Sequence, residues 1–206
     1  MIPPTFDPTQ FDGDVWLSAD LHLGHKRILE LAHRPWNNID KHDNDLIKLA
    51  CEVVKPSDLY VIVGDLSMAG PESHRKVMRY ISRLPGIKVL VLGNHDELDP
   101  RWYVKMGIPI VATSLVLEGG VLVSHDPADA QAWPQDKPVI CGHVHEFFKV
   151  KDNVVNVGVD VWSGYPVKLE EALGLCSERR GEQDWSRISN ERHKIRQGGD
   201  GCDGIY

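Results

Sequence analysis

The sequence predicts an α/β fold of two packed mixed β-sheets flanked by helices, and three observations predict it. Short apolar runs rich in Val, Ile and Leu recur from Val15 to Val159. Amphipathic stretches separate the first three runs, the mark of parallel strands joined by helical crossovers. From Thr113 onward hairpin signals replace those stretches, so the second half is richer in antiparallel strands. Composition permits a sizeable core: of 206 residues, 42% are hydrophobic and 26% charged, ordinary values for a globular protein.

Each run ends in a potential metal ligand. Val15-Trp16-Leu17-Ser18-Ala19 leads into Asp20 and His22. Leu59 to Val63 leads through Gly64 into Asp65, and Val89 to Leu92 through Gly93 into Asn94, His95 and Asp96. Val121 to Ser124 stops at His125, and Val139 to Cys141 passes Gly142 to reach His143 and His145. Runs of this length, closed by Gly or polar residues, read as buried strands. His25 to His33, Asp40 to Val54 and Pro71 to Leu84 read as the intervening helices, the last opening with proline at its first position. In open parallel sheets, ligands gather beyond the carboxyl ends of the strands, where all these polar residues fall.

Further along, Ser114 to Glu118, Gly119-Gly120 and Val121 to Ser124 read as one hairpin. Phe147 to Val150, a turn at Lys151-Asp152-Asn153, and Val154 to Val159 read as another. Nothing divides residues 1–175, which are expected to form a single domain. From Cys176 the chain becomes polar and glycine-punctuated, so 176–206 is expected to be a frayed or mobile tail.

Thirty acidic residues against 23 basic give a net charge of -7. That balance, with no basic stripe visible in the sequence, weighs against tight binding of long nucleic acid or of a membrane surface. No apolar run approaches the roughly 20 residues that span a bilayer, and MIPPTFDPTQ is not a secretory signal. The four cysteines form no CxxC pair and read as reduced thiols. A cytoplasmic location is expected; oligomeric state is not legible.

Carboxylate, imidazole and amide oxygen together suit borderline divalent ions such as Mn²⁺, Fe²⁺, Zn²⁺, Co²⁺ or Ni²⁺. The seven candidates Asp20, His22, Asp65, Asn94, His125, His143 and His145 are too many for one such ion. They are about right for two that share a carboxylate, with Mn²⁺ the first choice for assay. Two ions roughly 3.5–4 Å apart serve in-line displacement at phosphorus.

In their order, Asp20-x-His22, Gly64-Asp65, Gly93-Asn94-His95-Asp96, His125 and Gly142-His143-x-His145 resemble the calcineurin-like metallophosphoesterase superfamily. The similarity spans Asp20 to His145 and extends through Val155 to Trp162. Ser18 to His25, with Arg34-Pro35-Trp36 after it, resembles a small bacterial and phage branch. The resemblance implies that Asp20, His22, Asp65 and His145 hold one metal, and Asp65, Asn94, His125 and His143 a second, Asp65 bridging. It implies that His95 is the catalytic imidazole and Asp96 its orienting partner. A hydroxide between the ions would attack phosphorus, and His95 would protonate or stabilise the leaving oxygen.

Six of the ten histidines lie in these motifs, a sorting that scattered surface residues would not show. His33, His42, His74 and His193 read as surface residues. His25 either contacts substrate phosphate or begins the first helix. Arg27 and Arg34 are candidate anion clamps or solvated helix positions. Trp36, Trp133, Trp162 and Tyr165 either stack on a leaving group or pack. The GDxxDRG stretch of protein Ser/Thr phosphatases is absent, since Gly64-Asp65 is followed by Leu66-Ser67-Met68-Ala69-Gly70. The reading is therefore a binuclear metal-dependent phosphodiesterase for a small or nucleotide-derived phosphoester. Its rivals are a phosphomonoesterase or nuclease on the same site, and a non-catalytic binding module of the same fold.

Overall fold

Every residue from Leu59 to Val63 is buried, which requires cover on both faces of the strand they form. The computed structural model, which describes residues 3–68 and 74–176, supplies it. The first sheet runs through β2 (Val15–Ser18), β3 (Leu59–Val63), β4 (Ile87–Val91) and β5 (Ile110–Ala112), all parallel, with β11 (Val167–Lys168) antiparallel on the outer edge of β2. The second takes the order β1 (Thr5–Phe6), β6 (Ser114–Leu117), β7 (Val121–Ser124), β8 (Val139–Cys141), β10 (Val154–Asn156) and β9 (Val150–Lys151). It is mixed: β6–β7 and β10–β9 are antiparallel, while β7–β8 and β10–β8 are parallel.

Alternate residues of the first sheet serve two cores. Leu17, Leu59, Val61, Val63, Val89 and Val91 meet Leu115, Val121, Val123, Ile140 and Val155 between the sheets. Tyr60, Ile62 and Leu90 point the other way, onto Leu46, Ile47, Val77, Ile81 and Tyr103 of the helices. Those helices are α2 (Ile39–Val53), α3 (His74–Ile81) and α4 (Pro100–Lys105). α5 (Leu169–Gly174) places Leu169, Ala172 and Leu173 at the edge of the inter-sheet core. The two mixed sheets flanked by helices are those the sequence predicts.

Boundaries differ in instructive ways. Where residues 25–33 were expected to be a helix, only α1 (Ile28–Leu31) is regular; single turns precede it, and Pro35 disfavours helical backbone at Arg34. The second hairpin begins at Val150, not Phe147. There the Asn156 side-chain amide donates to the carbonyls of His145 and Phe148, holding that stretch out of a ladder. The expected tail lies, beyond Cys176, outside the described residues, as do the first residues of the helix expected from Pro71. Among the described residues no helix is long and apolar enough to cross a membrane, and Cys51, Cys141 and Cys176 are free thiols.

His42 is a correction. It is fully buried on α2, where Nε2 meets the Arg34 guanidinium at 2.8 Å and Nδ1 meets Asp43 at 2.8 Å. Arginine can only donate, so Nε2 accepts and the His42 proton sits on Nδ1. Burial lowers the His42 pKa, consistent with a neutral ring.

At the start of the first sheet, buried Asp58 accepts from the backbone N–H of Asp14 (3.2 Å) and Lys55 (2.9 Å) and from the Trp16 indole (3.0 Å). Burial acts to raise its pKa, but these donors win and lower it. Asp58→Ala should destabilise the fold by about 2 kcal/mol at pH 7. Because the folded pKa is depressed, this contribution is present above the unfolded value near 4 and fades as pH falls below it. Urea midpoints of wild type and variant should therefore converge in acid.

Candidate metal centre

The strand ends deliver the candidate ligands to one place. β2 is followed by Asp20 and His22, β3 by Asp65, β4 by Asn94, β7 by His125, and β8 by His143 and His145. Asp20, His22, Asp65, His143 and His145 all have positive φ, between 46° and 71°, a conformation that costs non-glycine residues about 1–3 kcal/mol each. Such strain turns the side chains inward as the chain leaves each sheet. Two glycines allow the elements to close up. A methyl group on Gly93 would lie 2.5 Å from the Asp65 nitrogen, and one on Gly142 would lie 2.8 Å from Asp20 Oδ2.

Three buried imidazoles are held from outside by Nδ1 and turn Nε2 inward. His125 donates from Nδ1 to the Val63 carbonyl at 2.8 Å. His145 donates from Nδ1 to Asp160 at 2.7 Å. His22 Nδ1 meets His25 Nδ1 at 3.4 Å. Asp65 Oδ2 lies 3.4 Å from Nε2 of both His22 and His125, and Asp20 Oδ1 lies 3.8 Å from Nε2 of His145. Asn94 Oδ1 stands 3.1 Å from His125 Nε2 and 3.0 Å from His143 Nδ1. All seven expected ligands therefore meet. Ligating atoms of Asp20, His22 and His145 lie within 4.8 Å of one another, as do those of Asp20, Asp65 and His125. For His125 and His145 the outer oxygen fixes the tautomer, the usual construction around a bound metal.

The electrostatics call for cations. Burial raises the pKa of Asp20, only partly countered by His145 and His125. Burial acts likewise on Asp65, but the His125 and His22 imidazoles hold its carboxyl below the usual range. His125 loses by burial and gains more from Asp65 and Asp20, ending near 9. His22 is driven well below its ordinary value by burial and the His145 charge, and its Nε2 is buried without a hydrogen-bond partner. A buried orphan nitrogen costs about 1–3 kcal/mol, and a divalent ion between these donors would satisfy it.

Asp96 requires a correction. Its carboxylate accepts from the backbone N–H of Asp65 (2.8 Å), Leu66 (3.1 Å) and Gly93 (2.9 Å), with burial pushing its pKa up to about 7 against those donors. It clamps the turn after β3 to the turn after β4, rather than orienting the His95 imidazole. His95 itself is half-buried, anchored by its N–H on Asp65 Oδ1 at 2.9 Å, its ring 5.3 Å from that of His22.

Arg34 is the second correction. Its guanidinium is buried, bonded to Asp160 at 2.8 and 2.9 Å and to the carbonyls of Asp20 (2.6 Å) and Leu21 (3.2 Å). It cannot also clamp a substrate; it braces the loop that carries Asp20 and His22. Arg27 is exposed, and His25 lies at the mouth, 6.3 Å ring to ring from His95. Trp133 and Trp162 donate their indole N–H to backbone carbonyls and pack; Trp36 donates to Asp45 and Tyr165 to Glu52. Asp160 is the residue that the sequence reading passed over. Its signal was an acid set between Val159 and Val161 directly after a buried strand.

The family model for calcineurin-like phosphoesterases matches residues 13–147. The Gene 66 proteins of Mycobacterium phages L5 and D29 are 28% and 31% identical to this chain, covering 82% and 80% of it and 97% and 96% of themselves. Uncharacterized protein MJ1445 of Methanocaldococcus jannaschii is 26% identical, over 80% of this chain and 92% of its own. Among solved structures, protein AQ665 of Aquifex aeolicus superposes with a TM-score of 0.58 at 21% identity, covering 78% of this chain and 97% of that one.

Asp160→Asn should keep the protein folded yet lower Mn²⁺ affinity about 10–100-fold, because its one remaining oxygen cannot accept from both Arg34 and His145 Nδ1 as the carboxylate does. Isothermal titration of metal-stripped protein measures this. Asp160→Ala leaves the buried Arg34 unpaired and should cost about 3–5 kcal/mol of stability, read from urea midpoints.

Proposed function

Since this chain belongs to the calcineurin-like phosphoesterase family, we propose that it is a phosphodiesterase acting on a small or nucleotide-derived phosphoester with two divalent cations. The observation that carries the reading is the convergence of three inward Nε2 atoms on two buried carboxylates. Asp20, His22, Asp65 and His145 would hold one cation and Asp65, Asn94, His125 and His143 the other. The chemistry of this donor set and the orphaned His22 nitrogen fit such ions. When bound, they supply Lewis acidity, drawing in phosphoryl oxygens and making water acidic near neutral pH.

The chain's own residues do the remaining work. Asp65 fixes the cluster from its centre and, through Oδ1, the backbone of His95. With His22, His125 and His145 buried and their outer nitrogens engaged, His95 is placed at the mouth to deliver a ring proton to the leaving oxygen. Arg34, committed to Asp160 and two carbonyls, is not free to neutralise the extra charge of a monoester. That favours a diester.

The test is hydrolysis of an aryl phosphodiester against the matching monoester, with Mn²⁺ added to metal-stripped protein. We expect turnover of the diester first. His95→Ala should lower kcat about 100-fold or more while bound metal, counted by atomic absorption, stays unchanged. No hydrolysis in any divalent metal by folded, metal-loaded protein would overturn the reading; loss of metal in the variant would make His95 a ligand instead.

A further inference from the structure

Six exposed cations form a track that begins beside the loop after β2, where Lys76 lies against Gly24, and runs along α3 to Arg83, whose carbonyl accepts from Cys51 Sγ at 3.6 Å near the end of α2. Lys26 and Arg27 are exposed in the turn that follows Gly24-His25. Arg75, Lys76, Arg79 and Arg83 are exposed on the outer face of α3 and its final turn, whose other face buries Val77, Tyr80, Ile81 and Leu84. Arg75, Arg79 and Arg83 recur every four residues, so they form one row with Lys76 beside it. No acidic residue occurs between His74 and Leu84. Lysine and arginine ion pairs are Arg34–Asp160, Lys41–Asp45, Lys48–Glu52, Arg101–Asp99 and Lys168–Asp14. Among the described residues, then, none of the six has a carboxylate within 4 Å.

One end of the row, at Lys76, lies beside the loop that carries His22. A methyl group on Gly24 would lie 3.5 Å from Cε and Nζ of Lys76, and 3.6 Å from the Tyr80 ring. Gly24 is two residues from His22, and its N–H is fixed by Asp43 at 2.9 Å. From Lys76 to Arg83 the helix rises about 10 Å, a length that covers a few nucleotides of one strand. No basic stripe is visible in the sequence because the two halves of this one are some 50 residues apart along the chain and become neighbours only when α3 packs beside the loop after β2.

We propose that this row binds the sugar–phosphate backbone of single-stranded nucleic acid and leads it to the metal centre, making the substrate class a short oligonucleotide or strand end. The proposal rests on the phosphodiesterase reading. The net charge of -7 supports it in one respect: an acidic remainder repels a strand everywhere else and confines it to the row.

Fluorescence anisotropy of Mn²⁺-loaded protein with a labelled, phosphorothioate-linked single strand, at about 50 to 200 mM salt, tests it. We expect affinity to fall with salt at a log–log slope of about -3 to -4, for four to six phosphate contacts. The Arg79→Glu/Arg83→Glu double variant should bind about tenfold more weakly or worse, with a slope shallower by about 1 or more. Its circular dichroism and its turnover of a small aryl diester should be unchanged. Absence of binding at low salt, equal binding of duplex, or indifference to the charge reversal would overturn the proposal. Reversal-sensitive binding without aryl diester hydrolysis would uphold the row and overturn the phosphodiesterase reading instead.

Discussion

Two carboxylates, Asp20 and Asp65, are buried at the ends of adjacent parallel strands, and the rest of the site follows from that fact. Isolated ionised carboxylates in such a place would be costly by many kcal/mol. Their neighbours are accordingly imidazoles and backbone N–H groups: His22 and His125 face Asp65, His145 faces Asp20, and the His143 N–H donates to both oxygens of Asp20 at 3.0 Å. The arrangement still leaves a nitrogen orphaned and five residues at positive φ. Strain and unsatisfied donors gathered at one point mark a place built for something other than stability.

The constraint also explains the glycines of the motifs. Gly93 and Gly142 are required because the backbone of one turn passes within bonding reach of another turn's acid, leaving no room for Cβ. Asp96, the last residue of Gly93-Asn94-His95-Asp96, ties two of these turns together through three backbone donors. Of the four residues in that motif one, Asn94, is a candidate ligand, while Gly93 and Asp96 are scaffolding.

What could be read from the sequence was the periodicity and the order of the strand ends. β2, β3, β4, β7 and β8 are continuous apolar runs because both their faces are covered, and such runs announce themselves. The short strands β1, β5, β9 and β11 have two or three residues each and no pattern of their own; only pairing partners define them. α4 was missed although Asp99-Pro100 is an N-cap followed by proline, the cue used for the helix at Pro71. The roles of Asp96, Arg34 and His42 were misread for a common reason. Each acts through a contact whose partner is fixed by the fold, and a residue type names the chemistry it can do without naming whom it meets.

Arg34 shows how closely fold and site are joined. Its guanidinium reaches from the segment after α1 to Asp160, in the turn after β10 of the second sheet, and on the way accepts no alternative: it bonds the carbonyls of Asp20 and Leu21 and fixes the tautomer of His42. His42 in turn donates its Nδ1–H to Asp43 Oδ1, and Asp43 Oδ2 accepts from the Gly24 N–H. The chain His145–Asp160–Arg34–His42–Asp43–Gly24 therefore ties an inward imidazole of the second sheet to the loop of the first that carries His22. Its members are charged or polar and buried, so removing one leaves the next without a partner in a low-dielectric interior. The same contacts fix the positions of Asp20, through its carbonyl, and of His145, through Nδ1, two of the candidate ligands. Any substitution that loosens the sandwich at this point must also widen the site.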